Sequence, residues 1–123
     1  MKIYVSHSKD FDFQNELYKP LKESHLPIEF IFPHELSKNT FNSQELFQKR
    51  GCDYVLAEVS RPSTGQGIEL GWADVYQIPI VCIYKKGSKP AGSLKVITDT
   101  IVEYENLSDL INKFAKQFGL NLA

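Results

Sequence analysis

Residues 2–6, KIYVS, open the chain with an apolar run that stops at polar residues. Over residues 10–24, Phe13, Leu17 and Leu21 then recur at four-residue spacing. This predicts a strand, a turn and an amphipathic helix. Pro20, inside the helical pattern, is expected to bend the helix or end its regular hydrogen bonding early. Residues 28–32 predict a buried strand, and residues 33–42, almost without periodicity, a long surface loop. Such a loop is either a binding lid or plain connection. Ser43 can cap a helix over residues 44–50, with Leu46 and Phe47 facing the core and Gly51 as its stop.

The strongest strand signal is residues 53–59, β-branched and aromatic, which ends abruptly in SRPSTGQG. Gly67 or Ile68 then opens a helix whose apolar side is Leu70, Ala73, Val75 and Tyr76, closed by Ile78 and Pro79. Residues 80–84 predict another buried strand, and residues 85–93, KKGSKPAGS, a mobile connector. A last strand near residues 100–104 leads to a helix capped near Ser108. Its stripe is Leu110, Ile111, Phe114 and Phe118, with Gly119 past the end.

Strands alternating with helices at this spacing predict βαβ units and an α/β fold: one doubly wound, five-stranded parallel sheet, flavodoxin- or Rossmann-like, over residues 1–123 as a single domain. The order 2-1-3-4-5 puts a topological switch between the first and third strands, where ligands sit beyond the carboxyl ends. Two polar loops meet there, residues 6–9 after the first strand and residues 60–67 after the third.

Composition narrows the partners. With 14 Lys+Arg against 15 Asp+Glu, the net charge of -1 offers no basic field for a nucleic acid polymer. The opening residues lack the apolar core of a signal peptide, and no apolar run reaches the ~20 residues of a membrane span, so the expectation is a cytoplasmic protein without membrane contact. Cys52 and Cys82 match neither a zinc pattern nor a disulfide framework and read as small core residues.

In STGQGIELG, Gly65 and Gly67 suit a tight turn and close backbone approach to a ligand, in front of a helix with unpaired N–H groups. A phosphate cradle is one reading. Against it, Glu69 falls in the first helical turn, and the Gly-x-x-x-x-Gly-Lys pattern is absent. Ser63 and Thr64 could still hold a phosphate, leaving Glu69 to meet an electrophilic carbon. The plain alternative for Glu69 is an acid complementing the helix dipole.

The stretch from Asp53 to Gly71, DYVLAEVSRPSTGQGIELG, resembles the nucleoside 2-deoxyribosyltransferase superfamily, and within it the 2'-deoxynucleoside 5'-phosphate N-hydrolases. The resemblance implies that Glu69, in Glu-Leu-Gly, is the nucleophile. It implies that Tyr4 contacts that carboxylate and that Ser8 helps bind phosphate. Ser63 falls where the hydrolases bind the 5'-phosphate, and His34 where they place a His near the base. Ser93 matches a phosphate-contacting Ser that crosses a dimer interface. Glu45 stands where the hydrolases carry an Asp that contacts the sugar or protonates the leaving base, and Lys9 replaces an Arg, losing its bidentate fork. The implied reaction breaks an N-glycosidic bond through a covalent deoxyribosyl–glutamate, resolved by water or a second base, in a homodimer with no metal or organic cofactor.

Two other functions stand beside this one: a nucleotide sensor that binds without cleaving, and a Toll/interleukin-receptor-like NAD glycohydrolase, suggested by IYVSHSKD. Plainer roles stand beside the residues as well. Tyr4 reads as a core aromatic, Glu58 as a structural acid, His7 and His25 as loop and turn residues, and Trp72 as packing or dimer surface.

Overall fold

The computed structural model describes residues 1–36 and 40–120. Strands β1 (Lys2–His7), β2 (Glu29–Ile31), β3 (Tyr54–Glu58), β4 (Ile80–Lys85) and β5 (Ile101–Tyr104) form one sheet in the order β2-β1-β3-β4-β5, with every neighbouring pair parallel. This is the α/β architecture and strand order that the sequence predicts. The helices are α1 (Lys19–Glu23), α2 (Pro33–Leu36), α3 (Ser43–Gln48), α4 (Thr64–Val75), α5 (Leu94–Ile97) and α6 (Leu107–Gln117).

Alternation along each strand sorts the core into two layers. From β3, Leu56 joins Ile3, Val5, Leu17, Tyr18 and Phe114 on the face covered by α1 and α6. Val55 and Ala57 join Tyr4, Phe47, Leu70 and Ala73 on the face covered by α3 and α4. Cys52 and Cys82 are buried in this second layer, and burial pushes both thiols up to about 11. Among the described residues no helix is long and apolar enough to cross a membrane.

Several local expectations are corrected. The chain before α1 forms a π-helical turn, Gln14–Tyr18, in which the Lys19 N–H reaches back five residues to the Gln14 carbonyl. Pro20, lacking an N–H and crowding the carbonyl four residues back, follows this widened turn in the first turn of α1. β2 is a half-exposed edge strand instead of a buried one. Residues 33–36 form a helical turn; residues 37–39 of the predicted loop lie outside the described residues.

The cap of α3 is Asn42, whose side chain accepts from the Glu45 N–H at 3.1 Å, so Ser43 becomes the first helical residue and is buried. Arg50 (φ 53°) makes the left-handed turn assigned to Gly51. At Gly51 an added Cβ would press on the tip of the Leu46 side chain, which would have to shift. α6 is capped by Asn106, not Ser108, and Gly119 (φ 66°) follows its end as expected.

The largest correction concerns α4. It starts at Thr64, earlier than the predicted Gly67 or Ile68, because the Ser63 side chain caps it by accepting from the Gln66 N–H at 3.2 Å. Gly65 and Gly67 are therefore helical, and a Cβ at either would meet nothing within 4 Å. Neither supplies the tight loop turn expected of it. Glu69 moves to the second turn, so its placement as a first-turn dipole partner does not hold.

Candidate active site

β1 and β3 are hydrogen-bonded neighbours whose following segments part at their carboxyl ends, and a cavity of about 590 Å³ opens there. Tyr4 points from β1 toward the α4 face and is buried to 1% exposure. Phe47 of α3 meets its ring edge-on at 5.3 Å, and Phe41 stacks on it at 5.8 Å. So fixed, the Tyr4 hydroxyl donates to Glu69 Oε2 at 2.6 Å. Burial and the facing carboxylate push the Tyr4 phenol far above its ordinary range, so it stays a proton donor to Glu69. Ser43, buried at the start of α3 close to the phenol, partly offsets that rise.

Of the residues singled out by sequence, Tyr4, Ser8, Lys9, His34, Ser63, Gly65 and Glu69 line this cavity. Glu45 does not. At the third position of α3 it points along the helix surface to Lys49, 2.5 Å away, with about half its side chain exposed, and this pairing holds its carboxyl below the usual range. The short α3 turns one face to Tyr4, and Ser43 and Phe47, four residues apart, occupy that face; Glu45 falls on the other. Gly67 and Ser93 line a separate hollow of about 220 Å³, behind the Ser63–Gln66 turn, together with Arg61 and Lys89.

The cavity also holds residues that sequence reasoning missed or set aside. Gln66 is buried and anchors the start of α4 to β3 by donating to the Glu58 carbonyl at 2.9 Å. Asp10 reaches the rim, with its N–H donating to Ser8 Oγ at 3.0 Å. Phe41 lines the wall, and its isolation in an aperiodic segment was the one available signal. His7, read as a plain loop residue, is buried at the end of β1 and lines the floor. Burial pushes the His7 imidazole down to about 4, and burial with the nearby Lys9 ammonium lowers that of His34, so both rings are neutral at pH 7.

Glu58 takes the structural role foreseen as its plainer reading. It points to the opposite face and accepts from the Ser60 N–H (2.7 Å), the Ser60 hydroxyl (2.9 Å) and the Tyr104 hydroxyl. Trp72 is half-buried against the second core layer. Among the described residues no group of three or more His, Cys, Asp or Glu is arranged to hold a metal ion.

No known family profile matches the chain. A curated relative from Syntrophotalea carbinolica, named "Putative 2'-deoxynucleoside 5'-phosphate N-hydrolase 1", is 38% identical over 64 residues, a stretch equal to 50% of this chain and 45% of the relative. The matched stretch thus spans less than half of that relative's length. The solved structure of the Clostridium botulinum CMP N-glycosidase superposes over 93% of this chain and 98% of its own, with a TM-score of 0.63 at 18% identity. The chain has the fold of that glycosidase, and over half its length it resembles a protein named "Putative 2'-deoxynucleoside 5'-phosphate N-hydrolase 1".

Proposed function

We propose that this protein cleaves the N-glycosidic bond of 2'-deoxynucleoside 5'-monophosphates through a covalent intermediate on Glu69. The observation that carries the reading is the 2.6 Å hydrogen bond from a buried Tyr4 to Glu69 in a cavity at the switch point of the sheet. A carboxylate oriented through one oxygen keeps the other for attack on C1' from the face opposite the base. As the C1'–O bond forms, the C1'–N bond breaks and its electron pair leaves with the base. His34, neutral, offers an N–H to the base as negative charge develops there. Water then attacks C1', frees Glu69 and yields 2-deoxyribose 5-phosphate with retained configuration. Ser8, Lys9 and Ser63 form the phosphate end, with the open N–H groups of the first turn of α4 beside them. A second base in place of water would give transfer, and the same site accommodates either acceptor.

The displacement of Glu45 favours a second reading, nucleotide binding without turnover. One experiment separates the two: chromatographic detection of free base from a panel of deoxynucleoside 5'-monophosphates, each beside its nucleoside, with wild type and Glu69→Gln. The expected result is base from the monophosphates and a loss of about a thousandfold or more in the variant. Binding without release by wild type establishes the sensor instead, and undiminished release by Glu69→Gln removes Glu69 as nucleophile. We also infer a homodimer, implied by the resemblance and supported by the apolar exposure of Ile68 (51%), Val75 (75%) and Val96 (85%) on α4 and α5.

A further inference from the structure

His7 lines the cavity, yet both of its ring nitrogens are engaged inside the protein. Nδ1 lies 2.7 Å from the Ser8 carbonyl oxygen, which can only accept, so Nδ1 carries the proton. Nε2 lies 2.6 Å from the Tyr18 hydroxyl and, in this tautomer, accepts from it. One directed line of hydrogen bonds therefore runs from Tyr18 through His7 to Ser8. Aromatic packing holds it: the His7 ring lies 4.4 Å from Phe13 and 5.1 Å from both Tyr18 and His34. The line also accounts for the π-helical turn, which ends on Tyr18 and buries it beside Leu17.

We propose that His7 and Tyr18 are positioning residues that hold the Ser8–Lys9–Asp10 loop at the phosphate end of the cavity. This rests on the functional reading above only in naming what the loop binds. With Nδ1 given to the Ser8 carbonyl and Nε2 to Tyr18, His7 has no proton to exchange with a substrate. Its action passes through the backbone of Ser8, whose hydroxyl also takes the Asp10 N–H at 3.0 Å. The loop carries Lys9, the one cation among the described lining residues of the cavity. Fixing it beforehand reduces the ordering that a phosphate must otherwise impose on binding.

Two amide substitutions test this. In His7→Asn the side-chain NH2 sits at the branching depth of Nδ1 and can still donate to the Ser8 carbonyl. In His7→Gln the amide reaches to the depth of Nε2, keeping Tyr18 and losing Ser8. Amide hydrogen exchange of residues 8–10, followed by mass spectrometry without substrate, is expected to speed up about fivefold to tenfold in His7→Gln and to stay near wild type in His7→Asn. With a deoxynucleoside monophosphate, KM is expected to rise by a similar factor in His7→Gln, with kcat within about twofold, and to recover in His7→Asn. Equal loop exchange in the two variants overturns the proposal, since a merely space-filling ring does not distinguish them. The exchange needs no substrate, so absence of base release by wild type overturns the functional reading alone and leaves this one to be decided by the loop.

Discussion

Tyr4 and Glu69 are 65 residues apart in sequence, and the fold brings them to 2.6 Å by placing one on the interior strand β1 and the other on α4, the helix that packs against it. What else acts on that pair is decided by the direction each side chain takes from α3. Ser43 is buried, and Glu45 turns outward to Lys49. Glu45→Gln is therefore expected to leave base release within about twofold of wild type, since it removes only an exposed ion pair. Ser43→Ala removes a buried hydroxyl close to the Tyr4 phenol and is expected to lower kcat by about fivefold to tenfold. A drop in Glu45→Gln larger than that in Ser43→Ala would return Glu45 to the reaction. The pairing of Tyr4 with Glu69 was legible through the resemblance of the opening strand and the Glu-Leu-Gly stretch, which implied that contact, and not through patterning alone. The exposure of Glu45 was not, because the resemblance matched it to an Asp by its place in the chain, whereas the core face of α3 is carried by Ser43 and Phe47 and Glu45 lies between them on the opposite side.

At the scale of elements, strands were read better than helix starts. Each strand carries its own alternation or apolar run, and the four crossovers follow from chain length and handedness. Helix starts depend on which of several polar residues wins the capping position. In α4 Ser63 wins, which turns a supposed glycine loop into two exposed helical positions. The π-helical turn before Pro20 was out of reach as well, since a proline in a helical pattern reports a broken hydrogen bond without saying how the chain absorbs it. α4 is also two-sided: Leu70 and Ala73 are buried against the sheet, while Ile68 and Val75, seven residues apart, share an outward face. If that face joins two copies, sedimentation of wild type gives the mass of two chains and Val75→Glu that of one. Monomeric wild type removes the dimer.

The whole molecule carries a net charge of -1, so its response to pH is set by particular buried groups more than by overall repulsion. His7 is held down to about 4 in the folded protein from an ordinary 6.5, by burial. The unfolded chain therefore binds more protons than the native one between these values, and stability falls as pH drops. The contribution of this residue is fully present above about 6.5 and lost by about 4, a change on the order of 3 kcal/mol. His34, also lowered, acts in the same direction. Urea midpoints are expected to be level from pH 8 to about 6.5 and to decline below it, with a shallower decline in His7→Asn. A flat profile down to pH 4.5 would contradict a buried neutral His7.

Arg61 lies with its guanidinium 4.4 Å above the Phe11 ring, on the side of the sheet away from the cavity. The charges lining the cavity are then Lys9, Asp10 and Glu69, one positive and two negative among the described residues. A doubly charged phosphate approaching from a distance meets no attractive field, and the dipole of α4 acts only within about one helical turn. Capture is then unsteered. On the proposed function, discrimination between a nucleotide and its nucleoside then arises after collision, from how long each stays, with the phosphorylated one favoured by slower escape instead of faster arrival.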